Sequence, residues 1–403
     1  MESLLVLQAF LGAGIAILLA FLCRNLLLLS SRLSYGAGFV CAIDPLQLVW
    51  ERYLMTETIS LFLYALMLVF CVSYLNQRKV WQLALVQILA VLAISFRISY
   101  LLVVEATAVV LPIITFHPLL WRGPVGHPRG RTAKFLGTHL AISILLMLGL
   151  QLGYKQLNGR LSGRPPAYLY SSGLSILSTW APVLRPADAP DARLSNIISQ
   201  GSQFHLTDPR QRNNQLYSNN HLVARWKNIE PDLAHADQIA KQTALHALLH
   251  RPLSILTLGT TTFLDYFHPR QIHRQALSDL GTGAWPTPAA EKLRGRLRYT
   301  PPSLLEARSH AILQTYLLSA QPYYYIVALC PFLCGALLFI VRETPILLFF
   351  IHASILLGTN SLLAVTASVR YLQPLSFLTI LIVFVFGDYL LRRPLPARAS
   401  VII

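Results

Sequence analysis

Three carboxylates stand at the entrance of a long apolar run in the stretch Ile43-Asp44-Pro45-Leu46-Gln47-Leu48-Val49-Trp50-Glu51-Arg52-Tyr53-Leu54-Met55-Thr56-Glu57. Carboxylates at such a place can take a proton from a hydroxyl, meet a cation or cap a helix. Asp44-Pro45-Leu46-Gln47 has the form of a helix start: Asp at the N-cap, Pro at the first helical position, and Gln completing a capping box. Capping alone accounts for Asp44, and a chemical role is compatible with it. A helix begun at Pro45 carries Glu51 and Glu57 toward the bilayer, about 120° apart around its axis, so the two do not form one tight pair. Glu51 reads equally as a wetted interfacial group. Glu57 lies deeper, ahead of Ile59, Leu61 and Phe62, where an ionisable group is costly unless it faces a polar cavity or a partner. Glu57, Glu51 and Asp44 are therefore the candidate catalytic groups, in that order.

Cations stand near them. Arg52 follows Glu51, Arg97 opens one apolar span, and Arg370 opens the last in Ser368-Val369-Arg370-Tyr371-Leu372-Gln373-Pro374. Glu105 is a further carboxylate in mid-span. Guanidinium groups beside carboxylates at one membrane face suit a lipid-linked phosphate meeting an acid–base group. The plainer reading is that the arginines anchor helix ends in head groups.

Positioning these groups requires a membrane scaffold. The 403 residues are 54% hydrophobic and only 12% charged, with mean hydropathy +0.52, whereas soluble chains are about a quarter charged. The expected fold is an all-α polytopic membrane protein with about nine transmembrane helices, near 4–22, 33–48, 54–75, 80–96, 98–116, 135–154, 322–341, 345–365 and 371–391. A block of about six spans (1–155) precedes a mainly helical extramembrane segment (156–321), and about three spans with a tail (322–403) follow. Arg24, Arg32, Arg78, Lys79, Arg122, Arg129, Arg131, Lys134, Arg342, Arg392, Arg393 and Arg398 fall in one set of connections. Arg52, Arg97 and Arg370 fall in the short connections opposite. Basic residues mark the cytoplasmic side, so Met1, the three carboxylates and segment 156–321 are expected outside. Residues 252–267 are short and threonine-rich, which suits a helix on the membrane surface.

The remaining polar residues say less. The net charge of +16 is largely this orientation signal and points to membrane lipids, with no nucleic-acid motif. Segment 156–321 has 17 Lys and Arg against 10 Asp and Glu, a surplus that favours anionic head groups. Cys23, Cys41, Cys71, Cys330 and Cys334 lie in or beside spans and imply no disulfide framework. His246 and His250 are one helical turn apart without an evident third ligand, so no metal site is assigned and a divalent ion stays an open cofactor question. Walker A, GxGxxG, GxSxG and CxxC patterns are absent, which leaves nucleotide-driven transport and serine hydrolysis without motif support.

The run Ala42-Ile43-Asp44-Pro45-Leu46-Gln47, then Glu51-Arg52 and Leu54-Met55-Thr56-Glu57-Thr58, resembles a helix junction in polytopic GT-C glycosyltransferases of the RgtA/B/C/D-like and protein-mannosyltransferase-like group. Arg97, Ala244 to Pro252, and Arg370 to Pro374 are similar to further family positions. The resemblance implies transfer of a sugar from a polyprenyl-phosphate donor to a lipid, glycan or protein acceptor at the outer face of a bacterial inner membrane. It implies Arg370 and Arg97, with Arg52, as partners of the donor phosphate. The first span, with Leu7-Gln8-Ala9-Phe10-Leu11-Gly12-Ala13, resembles the family's second helix. A leading helix and an outer loop bearing the family's acidic residue are therefore expected upstream of Met1, or else Glu51 or Glu57 stands in for the base. A polyprenyl-linked glycan polymerase, ligase or flippase, and a catalytically silent partner of a transferase, are the rival expectations.

Overall fold

The computed structural model describes residues 2–51, 56–122, 129–280, 295 and 311–392. Among them there is no strand. Helix α1 (Glu2–Phe21) runs on through one π-helical turn, Leu22–Leu26, and α2 (Ser31–Ala42) returns against it. Short α3 (Pro45–Trp50) leads to α4 (Glu57–Gln77), α5 (Val80–Phe96), α6 (Leu101–Arg122) and α7 (Arg129–Ser162). The segment that the sequence reads as extramembrane contributes α8 (Ser172–Thr179), α9 (Ala192–Ser199), α10 (Arg212–Tyr217), α11 (Leu222–Ile229) and α12 (Leu233–His250). Next come α13 (Pro252–Asp265), α14 (Pro269–Leu280), α15 (Ala311–Ser319), α16 (Gln321–Ala328), α17 (Cys330–Val341), α18 (Thr344–Leu363) and α19 (Gln373–Leu391).

Six helices are long and apolar enough to cross a membrane: Ser3–Leu26, Glu57–Gln77, Ile98–His117, Thr132–Ser162, Thr344–Leu363 and Val369–Leu391. The chain is thus an all-α polytopic membrane protein. The other three expected spans take different forms. Asp44 and Pro45 end one helix and start another, so 33–48 divides into α2 and α3. Helix α5 has 17 residues. The span expected at 322–341 is bent by 55° between α16 and α17, where Pro331 stands in the first turn and lacks the N–H to continue the helix. Helix α13, only 14 residues long, packs on the end of α18. A Cβ at Gly259 would come within 2.4 Å of Leu362 Cδ2, so glycine permits that contact.

The two ends of the bundle differ in chemistry. Arg24, Arg78, Lys79, Arg342 and Arg392 cluster at helix ends on one side, where polar bonds tie the connections together. Asp388 accepts from Ser30 N at 3.0 Å and pairs with Arg392 at 2.7 Å, and Asn76 donates to Leu26 O at 3.3 Å. The starts of α4 and α6 and the ends of α5, α7 and α18 lie at the other end. There the α8–α12 segment docks.

That segment has its own core of Leu174, Leu177, Leu194, Ile197 and Trp226. Helices α8 and α12 approach so closely that a Cβ on Gly173 would meet Asp237 O at 2.2 Å. His246 and His250 flank Asp188: His246 Nδ1 lies 2.9 Å from the Asp188 carbonyl oxygen, and His250 Nδ1 lies 3.6 Å from its carboxylate. Arg251 pairs with the same buried Asp188. Among the described residues no group of three His, Cys, Asp or Glu could hold a metal ion.

Trp180 and Arg212 are among the side chains that fasten the segment to the membrane block. Trp180 Nε1 donates to Leu362 O at 2.8 Å. Arg212, 2% exposed, donates to Pro209 O at 2.8 Å, Thr262 Oγ1 at 3.0 Å and Ala364 O at 3.4 Å. Burial pushes the Asp265 carboxyl up, and the nearby Arg212 opposes that shift. Arg212→Ala removes charged donors from three partners and should cost about 2–4 kcal/mol. Hydrogen exchange of the purified protein should show faster exchange in 205–217 and 252–265; unchanged exchange in both stretches would refute the anchoring role.

Candidate functional site

Polar side chains meet at the end of the bundle that carries the α8–α12 segment. The connection after α18 leads into a 3-10 turn, Val369–Leu372, which passes directly into α19. Along this turn and helix Arg370, Gln373 and Ser376 recur every third residue, so they share one side. Each meets a polar residue of the 44–57 stretch. Arg370 Nε donates to Glu57 Oε1 in a close ion pair. Gln373 Nε2 lies 3.4 Å from Gln47 Oε1, and Ser376 Oγ donates to Asp44 Oδ2 at 2.6 Å. The three contacts form a polar seam between the first and last parts of the membrane block.

The backbone presenting Arg370 is held from several directions. Ser368 Oγ accepts from Arg370 N at 3.2 Å, and Asn360 Nδ2 donates to Tyr371 O at 2.8 Å. Tyr266 OH donates to Ser368 O at 3.4 Å, which brings α14's connection into the same turn. Arg97 comes from the other side. Helix α5 ends where Arg97 adopts an extended conformation, φ −151° and ψ 108°, ahead of a 3-10 turn over Ile98–Tyr100. Its Nη2 donates to the Arg370 carbonyl at 3.3 Å, and its guanidinium lies 5.5 Å from the Tyr371 ring centroid.

Glu57, Arg97 and Arg370 are thus brought together, as the sequence suggested for one membrane face. Glu57 is fully buried, Arg97 nearly so, and the Arg370 side chain is 35% exposed. Glu57 Oε2 and Arg97 Nη1 are buried without a hydrogen-bond partner in the protein. An acceptor and a donor of this kind are costly to leave unmade and are complementary to a polar guest.

The other sequence candidates have different surroundings. Asp44 caps α3, with Oδ1 accepting from Leu46 N at 3.2 Å, while its second oxygen meets Ser376. Ser376 Oγ is also 2.5 Å from Tyr323 OH on α16, so Asp44 belongs to a buried structural network. Glu51 accepts from Gln47 Nε2 at 2.9 Å, and its carboxylate occupies the space beside α1 that a side chain at Gly12 would need. Arg52 lies outside the described residues. Glu105, half-buried on α6, lies away from the seam and acts electrostatically on Tyr168.

Sequence reasoning missed Gln373 and Ser376, although their spacing from Arg370 was available as a signal. Deeper in the bundle lies another polar group, His352, which the sequence reads as a buried helix histidine; it is one, and its partners could not be read from the sequence. His352, buried on α18, lies between Tyr64 OH at 3.1 Å from Nδ1 and Thr107 Oγ1 at 3.0 Å from Nε2. Thr107 donates its own hydrogen to Val103 O at 2.5 Å, so its oxygen must accept from His352 Nε2–H. Nδ1 then carries the lone pair and accepts from Tyr64.

No protein-family model, curated protein or solved structure matches the chain. Fold and geometry together define the class: a polytopic helical membrane protein with a buried carboxylate and two arginines clustered at one end of its bundle.

Arg370→Ala leaves the Glu57 charge buried and unpaired, at a cost of about 3 kcal/mol. Adding Glu57→Gln to that chain removes the charge and should recover most of the loss. Thermal unfolding in detergent reads the cycle; a double variant as unstable as the sum of the two single losses would contradict the pairing.

Proposed function

We propose that the protein is a membrane glycosyltransferase of GT-C type. It transfers a sugar from a polyprenyl-phosphate donor to a lipid, glycan or protein acceptor. The nine-helix GT-C arrangement belongs to this proposal, with α2, α5 and the bent α16 and α17 counted beside the six long helices. So does placement in a bacterial inner membrane with the extramembrane segment on the periplasmic side. The support for that orientation is the gathering of basic residues at the opposite end of the bundle.

The observation that carries the reading is the charge balance of the cluster. Two arginines and one glutamate leave a net charge of +1 at a membrane face. That suits the single negative charge of a sugar phosphodiester. A diphosphate-linked glycan, the substrate class of the rival polymerases and ligases, carries about two and would need another cation. Glu57 engages Arg370 only at Nε, so the Nη edge of the more exposed guanidinium remains for phosphate oxygens.

In the proposed step the acceptor oxygen forms a bond to the sugar's anomeric carbon as the bond from that carbon to the phosphate oxygen breaks. Polyprenyl phosphate leaves, and Arg370 and Arg97 stabilise the charge that grows on it. Glu57 Oε2 takes the acceptor's proton. Asp44 and Glu51 have no direct part. A catalytically silent, polyprenyl-phosphate-binding partner is the second reading, because Glu57 is already paired with Arg370.

A panel of polyprenyl-phospho-sugars offered to the purified protein separates these readings. Transfer from one donor is expected, binding without turnover would favour the silent partner, and use of diphosphate-linked donors alone would overturn both. Arg370→Lys keeps the charge beside Glu57 but loses the planar fork, and should weaken donor binding at least about tenfold with little change in stability. Glu57→Gln should lower kcat about 10²–10⁴-fold with donor binding retained; full turnover in that variant would remove Glu57 as the base.

A further inference from the structure

A third buried polar atom belongs to the same neighbourhood. Tyr100 lies in the 3-10 turn just after Arg97 and is fully buried; its phenol oxygen makes no well-formed hydrogen bond in the protein, although the Ser60 hydroxyl is near enough to act on it. Arg97 and Glu57 are the charges that act on it. Its hydroxyl therefore stands with Glu57 Oε2 and Arg97 Nη1 as part of one incomplete set: donors on Tyr100 and Arg97, an acceptor on Glu57. A buried hydroxyl normally finds a partner when its role is structural. Here the ring has been fixed and the hydroxyl has beside it only the Ser60 hydroxyl, whose own hydrogen goes to the Glu57 carbonyl. Tyr100 stacks on Tyr64, with ring centroids 5.1 Å apart and planes 24° apart, and Tyr64 is pinned by His352.

The spacing along the helices accounts for this arrangement. Tyr64 is seven residues beyond Glu57 on α4, and Thr107 is seven beyond Tyr100, so each pair lies on one side of its chain about two turns apart. The His352 contacts bridge the deeper members and leave the shallower ones, Glu57 and Tyr100, at the cluster. Tyr64 and His352 act as positioning residues for Tyr100.

We propose that Tyr100 is a specificity-determining residue that contacts the hydroxylated, sugar-bearing part of a phosphodiester whose phosphate is held by Arg370. This rests on the donor reading above. The neutral phenol donor matches the hydroxyls of a sugar ring, whereas the exposed Arg370 fork matches the phosphate. The phenol addresses the sugar, Glu57 Oε2 remains for the acceptor's hydroxyl, and Arg97 spans phosphate and sugar.

Tyr100→Phe tests the assignment because it removes only the oxygen and preserves the ring stack. The full-length protein in nanodiscs is titrated with two probes, polyprenyl phosphate and a panel of polyprenyl-phospho-hexoses. In the variant, binding of the preferred sugar phosphate is expected to weaken roughly tenfold while polyprenyl phosphate stays within about twofold of the native protein. Thermal stability should stay level or rise, since a poorly satisfied buried hydroxyl has been removed. A lower melting temperature, an equal loss for both probes, or no loss for either would overturn the assignment while leaving the donor reading intact. If the native protein binds no polyprenyl phosphate with or without sugar, the donor reading fails and this assignment fails with it.

Discussion

The ion pair between Glu57 and Arg370 joins residues 313 positions apart and fixes how the two halves of the membrane block meet. A carboxylate at zero exposure is expensive in a low-dielectric setting, and its partner must be placed accurately to offset that cost. Many neighbouring features serve that placement. Ser368 turns the chain into Arg370, Asn360 and Arg97 hold the carbonyls of the same turn, and Pro374 starts the helix that follows. Two further rungs, Gln373 with Gln47 and Ser376 with Asp44, continue the contact into the bundle. Slippage of α19 by one residue would rotate all three polar groups away from their partners together.

The seam also separates two uses of charge. At the basic end, Arg392 pairs with Asp388 one helical turn away and Arg24 donates to the Leu29 carbonyl. At the seam, charges are buried, few and matched across distant segments. Described turns on the basic side at Leu28, Arg78 and Arg342 place a non-glycine residue in the left-handed region, φ 59°, 57° and 54°. Glycine would be less strained there, but at Arg78 and Arg342 it would lack the basic charge.

The α8–α12 segment is coupled to the same region. Arg212 and Trp180 bond to the carbonyls of Ala364 and Leu362, at the start of the connection that ends in Arg370. Tyr266, just after the surface helix α13, reaches Ser368 in that connection. One irregular stretch, 364–368, is therefore held by the segment above it and the bundle beside it. Arg370 inherits its position from both.

The sequence by itself determined the helical membrane class and the Asp44 cap, and it raised Glu51, Glu57, Arg97 and Arg370 as an expected group at one membrane face, of which the structure brings Glu57, Arg97 and Arg370 into contact. Each of these readings follows from local spacing, or from the cost of putting charge in hydrocarbon. Tertiary structure alone decided that Arg370 meets Glu57, that Asp44 is held by Ser376 and Glu51 lies against Gly12, and that 33–48 is two helices while 322–341 is a bent pair. It alone revealed Tyr100, its hydroxyl without a well-formed hydrogen bond, above the Tyr64 and His352 contact. Those facts depend on which helix faces lie together across hundreds of residues, and hydropathy along the chain carries no record of rotation about a helix axis. An apolar span reads the same whichever side it turns toward its neighbours; a buried polar atom acquires a partner, or lacks one, only when packing sets that rotation.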